Sequence, residues 1–313
     1  MSASLRGAIF GLGAAAIWGG MYVVSDLVLQ VIPPFALLTL RLLISILVLG
    51  AILSIIRRPH LPARKEILPV LLVGFLGFGI SVGAQFVGTD RSTAVNGALI
   101  TSASPAFILL FAALILRERL TLMRILAVGL ATTGVLVIIN PANADFSSDT
   151  FFGDVMLAVA AITWGLYSVL VRKLSSRVDT LTFSFLAPAG GLFLTIPAGA
   201  VELSQRPVGE INLAVFIGIL YLGVISTAAA MWMWNRAFVL VEASTASLFF
   251  FAQPLVGAVL GIVILKQAFT SNLLFGGALI TAGVLLSLIQ RKPAKASLMP
   301  DSHESAQEIG SQV

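Results

Sequence analysis

The sequence contains no cysteine and only two histidines among its 313 residues. Without cysteine the chain forms no disulfide, offers no thiolate nucleophile and supplies no thiolate ligand for zinc. The histidines, His60 and His303, both lie outside the long apolar runs. We therefore expect neither a metal centre nor a cofactor.

Charge is also scarce, because Asp, Glu, Lys and Arg together make up 11% of the residues, whereas hydrophobic residues make up 58%. The mean hydropathy is +1.03. A soluble surface of this size could not cover so much apolar side chain, so a soluble globular protein is excluded. The net charge of +5 does not indicate a nucleic-acid partner, because membrane-length apolar runs separate the basic clusters.

The apolar runs have the length that is needed to cross about 30 Å of hydrocarbon as a helix. They lack the alternation of a transmembrane barrel, so we expect an all-α polytopic membrane protein in contact with the lipid bilayer. We predict ten spans, at residues 7–25, 35–56, 67–89, 93–116, 121–139, 155–171, 180–201, 211–234, 243–265 and 271–289.

The distribution of Lys and Arg predicts the orientation. With the N-terminus in the cytoplasm, 15 of the 19 basic residues fall on the inner side, Arg41 lies within a span, and Arg91, Arg206 and Lys266 fall outside. The positive-inside rule then places both termini in the cytoplasm, which we expect to be that of a bacterial cell. The polar residues 291–313 are predicted to form a disordered cytoplasmic tail.

The sequence carries an internal repeat. Trp18-Gly19 matches Trp164-Gly165 at an offset of 146, and Gly134-Val135 matches Gly283-Val284 at an offset of 149. We predict a first five-helix repeat at 1–140, an extracytoplasmic linker at 141–152 and a second repeat at 153–290. Because five spans is an odd number, the second repeat enters the membrane from the opposite side. Such inverted repeats favour transport by alternating access.

Several residues give the chain a family resemblance. These are Trp18-Gly19, Pro33, Leu40-Arg41-Leu42-Leu43, Pro105, Leu116-Arg117-Glu118 and Gly134-Val135. The sequence resembles the drug/metabolite transporter superfamily with two EamA-type domains, over residues 5 to 290. The resemblance implies an exporter or exchanger of small metabolites, commonly amino acids, with a cavity lined by helices 1 to 4 and 6 to 9. Lys266-Gln267 departs from the pattern, which would have an acid where Gln267 stands.

Trp18 and Trp164 fall near the middle of their spans, away from the membrane interface where tryptophan usually lies. Tyr22 follows Trp18 by four residues and Tyr167 follows Trp164 by three, so each pair shares one helix face. We predict that they bind an amphipathic solute. Packing between helices is the alternative. Trp232 and Trp234, near the inner end of their span, are predicted to be interfacial.

Arg41 is the basic residue that lies well inside a span, about 6 Å from the edge of its apolar run. A guanidinium there costs roughly 2.5 to 3.5 kcal/mol at the helix centre and less near the edge, so a partner is favoured. One interpretation is that it binds a carboxylate or phosphate of the substrate. The other is a structural ion pair with Asp26 or Asp90.

Gln85, Asn96 and Gln253 are amides within spans that would be costly to leave unpaired, and we add them to the substrate-binding candidates. Pro105 and Pro254 lie at matching depth in the two repeats and are predicted hinges, because proline loosens a helix. No Asp or Glu lies in the body of a predicted span, so a facilitator or exchanger is favoured over a proton-coupled pump.

These features predict a secondary transporter of a small-molecule substrate, most favourably an amino acid or related amphipathic solute. A transporter of phosphorylated or nucleotide-sugar solutes and a non-transporting receptor or scaffold are the alternatives. An enzyme is disfavoured, because the spans contain no histidine, cysteine or buried acid. Whether two copies form a homodimer is left open by the sequence.

Overall fold

A computed structural model describes residues 3–56, 62–117, 122–139, 148–174, 177–240, 249–266 and 270–288. Within these ranges the chain is helical, with short turns and loops between helices and no strand. The predicted linker residues 141–147, Gln267 and the tail 291–313 lie outside the described residues.

Seven helices are long and apolar enough to cross a membrane, by length and composition, within the described ranges. They are α1 (Ala3–Leu29), α2 (Pro34–Ile55), α3 (Arg64–Arg91), α4 (Ala94–Ile115), α6 (Asp149–Leu174), α7 (Thr180–Gln205) and α8 (Leu213–Leu240). The other predicted spans contain the helices α5 (Leu122–Ile139), α9 (Ala252–Leu265) and α10 (Ser271–Leu288). The chain is thus a polytopic all-α membrane protein.

Short polar side chains begin several of these helices by capping free backbone N–H groups. The Thr93 hydroxyl accepts from Asn96 N, the Asp179 carboxylate from Leu181 N and Thr182 N, and the Asn212 amide oxygen from Val215 N. Ser148 accepts from Phe151 N in the same way, so α6 begins at Asp149, inside the segment that the sequence had predicted to be a linker.

Helix packing repeats between the two halves of the chain. The contact of α1 with α9 recurs as α6 with α4, and that of α3 with α6 recurs as α8 with α1. A Cβ built on Gly19 would lie 3.0 Å from Gly257 N, and one built on Gly165 would lie 3.0 Å from Ile108 N. These pairs are equivalent at the offsets of 146 and 149, so the sequence repeat corresponds to a repeat in packing.

Two irregularities of the backbone also recur. Each third helix contains a π-helical segment, Phe75–Ser81 in α3 and Tyr221–Ala229 in α8, and the two segments start 146 residues apart. Arg117 and Lys266, which follow the ends of α4 and α9, have positive φ angles of 57° and 52°. At the end of a helix the left-handed conformation is usually adopted by glycine, yet both halves have a basic residue at this position.

Candidate functional site

A cavity of about 40 Å³ lies at the centre of the bundle, between helices from both halves. Its polar lining residues are Arg41, Ser81, Gln85, Thr101, Ser104 and Gln253, its aromatic ones are Trp18, Tyr22, Phe78, Trp164 and Phe250, and Met21, Val82, Ala160 and Met231 complete the wall. Helix α7, which the resemblance placed in the wall, contributes none of these residues. This volume has room for a few water molecules and not for a larger solute.

Arg41 is 3% exposed and points into this cavity from α2. Its Nε donates to Thr227 Oγ1 at 2.7 Å, and Thr227 in turn donates to the Leu222 carbonyl at 2.7 Å. The Arg41 guanidinium also lies 4.9 Å from the centre of the Phe86 ring, a cation–π contact. The π-helical segment of α8 therefore orients the guanidinium through Nε, and the edge that carries the two terminal nitrogens faces the cavity.

The two terminal nitrogens of Arg41 have weak acceptors. Nη1 contacts the Met21 sulfur at 3.5 Å, and Nη2 contacts Ser226 Oγ at 3.4 Å. No carboxylate of the described residues forms an ion pair with Arg41, and Asp90 instead binds Arg206 at 2.9 Å. The predicted structural pair of Arg41 with Asp26 or Asp90 is therefore wrong for the described chain. A buried guanidinium without a counter-ion suits an anionic ligand.

A hydrogen-bonded group of three side chains forms the opposite part of the wall. Tyr22 OH lies 2.6 Å from Thr101 Oγ1, and Gln253 Nε2 donates to the same oxygen at 2.9 Å. Because Thr101 donates its own proton to the Gly97 carbonyl, Tyr22 is the donor in the first of these bonds. Helices α1, α4 and α9 are thus joined where they face the cavity.

The midplane tryptophans meet across the cavity. The rings of Trp18 and Trp164 pack edge to face with centroids 5.6 Å apart. Trp18 Nε1 donates to the Ser226 carbonyl at 3.0 Å, whereas the buried Trp164 Nε1 has no partner among the described residues. Trp234 is 2% exposed and packs 5.3 Å from Trp18, so the interfacial position predicted for it is wrong.

Tyr167 lies just behind the lining. Its ring centroid lies 4.8 Å from that of Trp164 and 5.9 Å from that of Phe78, and its buried hydroxyl has no hydrogen-bond partner in the described part of the chain. Buried polar groups are rarely left unpaired unless water, a ligand or another conformation satisfies them. Trp164 Nε1 and Tyr167 OH are thus two buried donors on one face of α6, and neither has a partner among the described residues.

The structure brings most of the predicted binding residues to the cavity. Trp18, Tyr22, Arg41, Gln85, Trp164 and Gln253 line it, and Tyr167 contacts the lining from behind. Asn96 lies elsewhere, because its Nδ2 donates to Asp154 Oδ1 at 2.9 Å and to Ser92 Oγ at 3.0 Å, at the start of α4.

Sequence reasoning missed Met21, Ser226 and Phe250. Methionine and phenylalanine give no signal against an apolar background, and a single serine in a span usually bonds its own helix. The repeat would have singled out the segment containing Ser226, because it corresponds to the segment around Ser81, whose Oγ donates to the Ala160 carbonyl at 2.9 Å. Both hydroxyls lie in π-helical segments, which often occur at functional sites.

The two predicted hinge prolines both lie near the start of a helical segment. Helix α4 is interrupted by a turn at Ser102 and Ala103, and Pro105 is the second residue after it. Pro254 is the third residue of α9, directly after the 3-10 turn Phe249–Phe251. At these positions a missing N–H costs little, so proline marks the end of an interruption and does not bend a continuous helix.

The fold and the site define the class of protein, namely a polytopic membrane protein whose central cavity contains a buried cation between two similar halves. A family model described as the EamA-like transporter family matches residues 5–140 and again residues 151–289. The chain belongs to this family, which confirms the resemblance seen in the sequence.

Relatives in other organisms agree with this assignment. The uncharacterized transporter YetK of Bacillus subtilis is 26% identical, covering 96% of this chain and 91% of the relative. An uncharacterized transporter of Archaeoglobus fulgidus is 25% identical, covering 87% and 93%. A crystal structure with 21% sequence identity superposes with a TM-score of 0.63 over 90% of this chain and 96% of the other, which supports the fold alone.

Proposed function

We propose that the protein is a secondary transporter that exports or exchanges small amphipathic metabolites bearing an anionic group, with amino acids as the favoured class. Its ten spans form two inverted five-helix repeats, at residues 1–140 and 153–290, with both termini in the cytoplasm of a bacterial cell. The two repeats exchange conformations, so that the central cavity opens to one side of the membrane and then to the other.

The observation that carries the proposal is the buried guanidinium of Arg41, which faces the cavity without an ion pair in the described chain. A substrate carboxylate would accept from both terminal nitrogens of Arg41, in place of the Met21 sulfur and the Ser226 hydroxyl. The result would be a bidentate, charge-assisted pair. The aromatic faces of Trp18 and Trp164 would take the apolar part of the solute. One cation suits a single carboxylate better than the several charges of a nucleotide sugar.

The wall of the cavity contains the parts that would move. The turn at Ser102 and Ala103 lies between Thr101 and Ser104, which both line the cavity. Interrupted helices at mid-membrane are typical of transporters, because free backbone groups there can meet a ligand. Rotation of α4 and α9 about these interruptions would enlarge the cavity enough for a metabolite.

The test is efflux from proteoliposomes preloaded with amino acids, other small carboxylates and sugar phosphates, with mass spectrometry of the external medium. We expect selective release of a few amphipathic carboxylates, lost in Arg41→Gln and kept in the surface control Arg64→Gln. Release of sugar phosphates alone would favour the phosphorylated-solute alternative. Binding of a solute without release under any gradient would favour the receptor.

A further inference from the structure

A second pocket, of about 350 Å³, lies at the end of the bundle away from the ion-paired residues Arg91 and Arg206. Arg6 and Phe10 of α1, Asp179 before α7, and Trp232 and Arg236 of α8 line it. Helix α1 belongs to the first half of the chain, whereas α7 and α8 belong to the second. The pocket is therefore a junction between the halves and is separate from the central cavity.

The pocket is lined by two exposed arginines, Arg6 and Arg236, and by one acid, Asp179. Neither Arg6 nor Arg236 takes part in an ion pair of the described residues. Asp179, the acid beside them, caps α7 by accepting from Leu181 N and Thr182 N, each at 3.0 Å. Both bonds are accepted by Oδ1, so the helix end uses one of the two carboxylate oxygens, and two arginines and one aspartate leave the pocket lining with a net positive charge.

The opposite end of the bundle differs in this respect. Arg206 binds Asp90 at 2.9 Å, and Arg91 binds Asp149 at 2.8 Å. Arg6 and Arg236 are exposed, and they line one concave pocket. Two guanidinium groups in a pocket are a typical site for a phosphate, which each can bind through paired N–H donors.

The surroundings of the pocket match the surface of a membrane. Trp232 packs edge to face against Phe10 with ring centroids 5.4 Å apart, and aromatic residues at helix ends concentrate at headgroup depth. Ile9 and Val239, which neighbour the pocket residues along α1 and α8, are 49% and 51% exposed. The distribution of basic residues predicts that this end faces the cytoplasm, and the cytoplasmic leaflet of a membrane carries anionic lipids.

We propose that this pocket binds the phosphate of an anionic phospholipid from the cytoplasmic leaflet. Arg6 and Arg236 hold the headgroup, and the acyl chains lie along the exposed apolar residues of α1 and α8. Because the two arginines belong to different halves of the chain, the lipid links the halves at this end. The free inorganic ion shares the phosphate chemistry but lacks the acyl chains.

The test compares lipid binding in nanodiscs and requires no transport. Retention of phosphatidylglycerol in a phosphatidylcholine background is measured by native mass spectrometry for the wild type and for Arg6→Gln combined with Arg236→Gln. The matched control is Arg64→Gln combined with Lys65→Gln, which removes two exposed charges from the same predicted side. Thermal unfolding in pure phosphatidylcholine checks that all three proteins are folded.

We expect the pocket variant to lose apparent affinity for phosphatidylglycerol by about thirtyfold, while the control stays within about threefold of the wild type. Phosphatidylglycerol should raise the unfolding temperature of the wild type and the control but not of the pocket variant. Equal loss in both variants would overturn the site in favour of general surface charge. An equal stabilisation by inorganic phosphate alone would overturn the assignment to a lipid.

Discussion

Trp18 and Trp164, which are equivalent under the sequence repeat, pack against each other edge to face at 5.6 Å. Equivalent residues of two repeats can touch only where the axis relating the repeats passes between them. The central cavity therefore lies at the junction of the two halves. The two indoles differ in one respect, since Trp18 Nε1 is hydrogen-bonded and Trp164 Nε1 is not.

Replacing Arg41 with Gln should raise the apparent KM for carboxylate substrates by roughly 10- to 100-fold with a smaller effect on the maximal rate, because a charge-assisted pair is lost from binding. Arg41→Lys, which keeps the charge without the planar fork, should fall between. Initial rates of exchange in proteoliposomes measure both quantities.

Thermal unfolding of the same Arg41 variants separates binding from structure. Removal of a buried cation that lacks a counter-ion should leave the unfolding temperature unchanged or raise it. A large drop would mean that Arg41 serves chiefly to hold Thr227 and the π-helical segment of α8.

Two tyrosines provide a matched pair. Tyr167→Phe removes a buried hydroxyl without a partner and should raise the free energy of unfolding by about 1 kcal/mol, whereas Tyr22→Phe removes the donor to Thr101 and should lower it by a similar amount. We also expect Tyr167→Phe to slow transport, because a donor kept unpaired at a stability cost indicates use in binding. Chemical unfolding and exchange assays on both variants decide this. Unchanged transport would make the Tyr167 hydroxyl dispensable.

The contact of α3 with α7 depends on glycine. A Cβ on Gly74 would overlap the Ala187 carbonyl, which belongs to the backbone and cannot rotate away. Gly74→Ala should therefore lower stability by about 3 kcal/mol or more, seen as loss of monodisperse protein on size exclusion. Gly129→Ala is the control, since nothing lies within 4 Å of its added Cβ. Similar yields of both variants would show that α3 and α7 separate readily.

Pro105→Ala and Pro254→Ala should slow transport more than they lower the yield of folded protein. Alanine lets the helical hydrogen bonding extend through the interruptions before α9 and within α4, which reduces their freedom to rotate. Exchange rate per folded molecule is the measurement. A parallel loss of rate and yield would make the prolines structural.

The ion pair of Arg206 with Asp90 lies at one end of the bundle and lines a pocket together with Gln30. Arg206→Gln should open this end and speed the labelling of a cysteine introduced as Gln30→Cys, and the native chain contributes no background because it has no cysteine. Exchanging the charges, Arg206→Asp with Asp90→Arg, should restore slow labelling. If the introduced cysteine is labelled at the same rate in the presence of the native pair, in Arg206→Gln and in the charge exchange, the pair does not close this end.

Much of the candidate site was predictable because membrane spans make polar residues conspicuous. Arg41, Gln85 and Gln253 stand out against an apolar background, and the repeat drew attention to Trp18 and Trp164. Asn96 is equally conspicuous, but it lies at the start of a helix, where its Nδ2 donates to Asp154 and Ser92. A sequence indicates depth in the membrane only through the ends of an apolar run, so a boundary shift of a few residues decides whether a side chain faces the cavity or caps a helix.

The amino-acid sequence by itself determined the all-α membrane class, the approximate bounds of the spans and the internal repeat, because hydropathy and identity are properties of the chain. Only the tertiary structure decided which side chains meet. Glu202 of α7 caps α2 by accepting from Phe35 N at 2.6 Å, and Thr227 of α8 orients Arg41. The residues in each of these contacts are more than 160 positions apart, and whether they meet depends on which face each helix turns towards its neighbour. The sequence does not predict that face, because these helices are apolar on all sides.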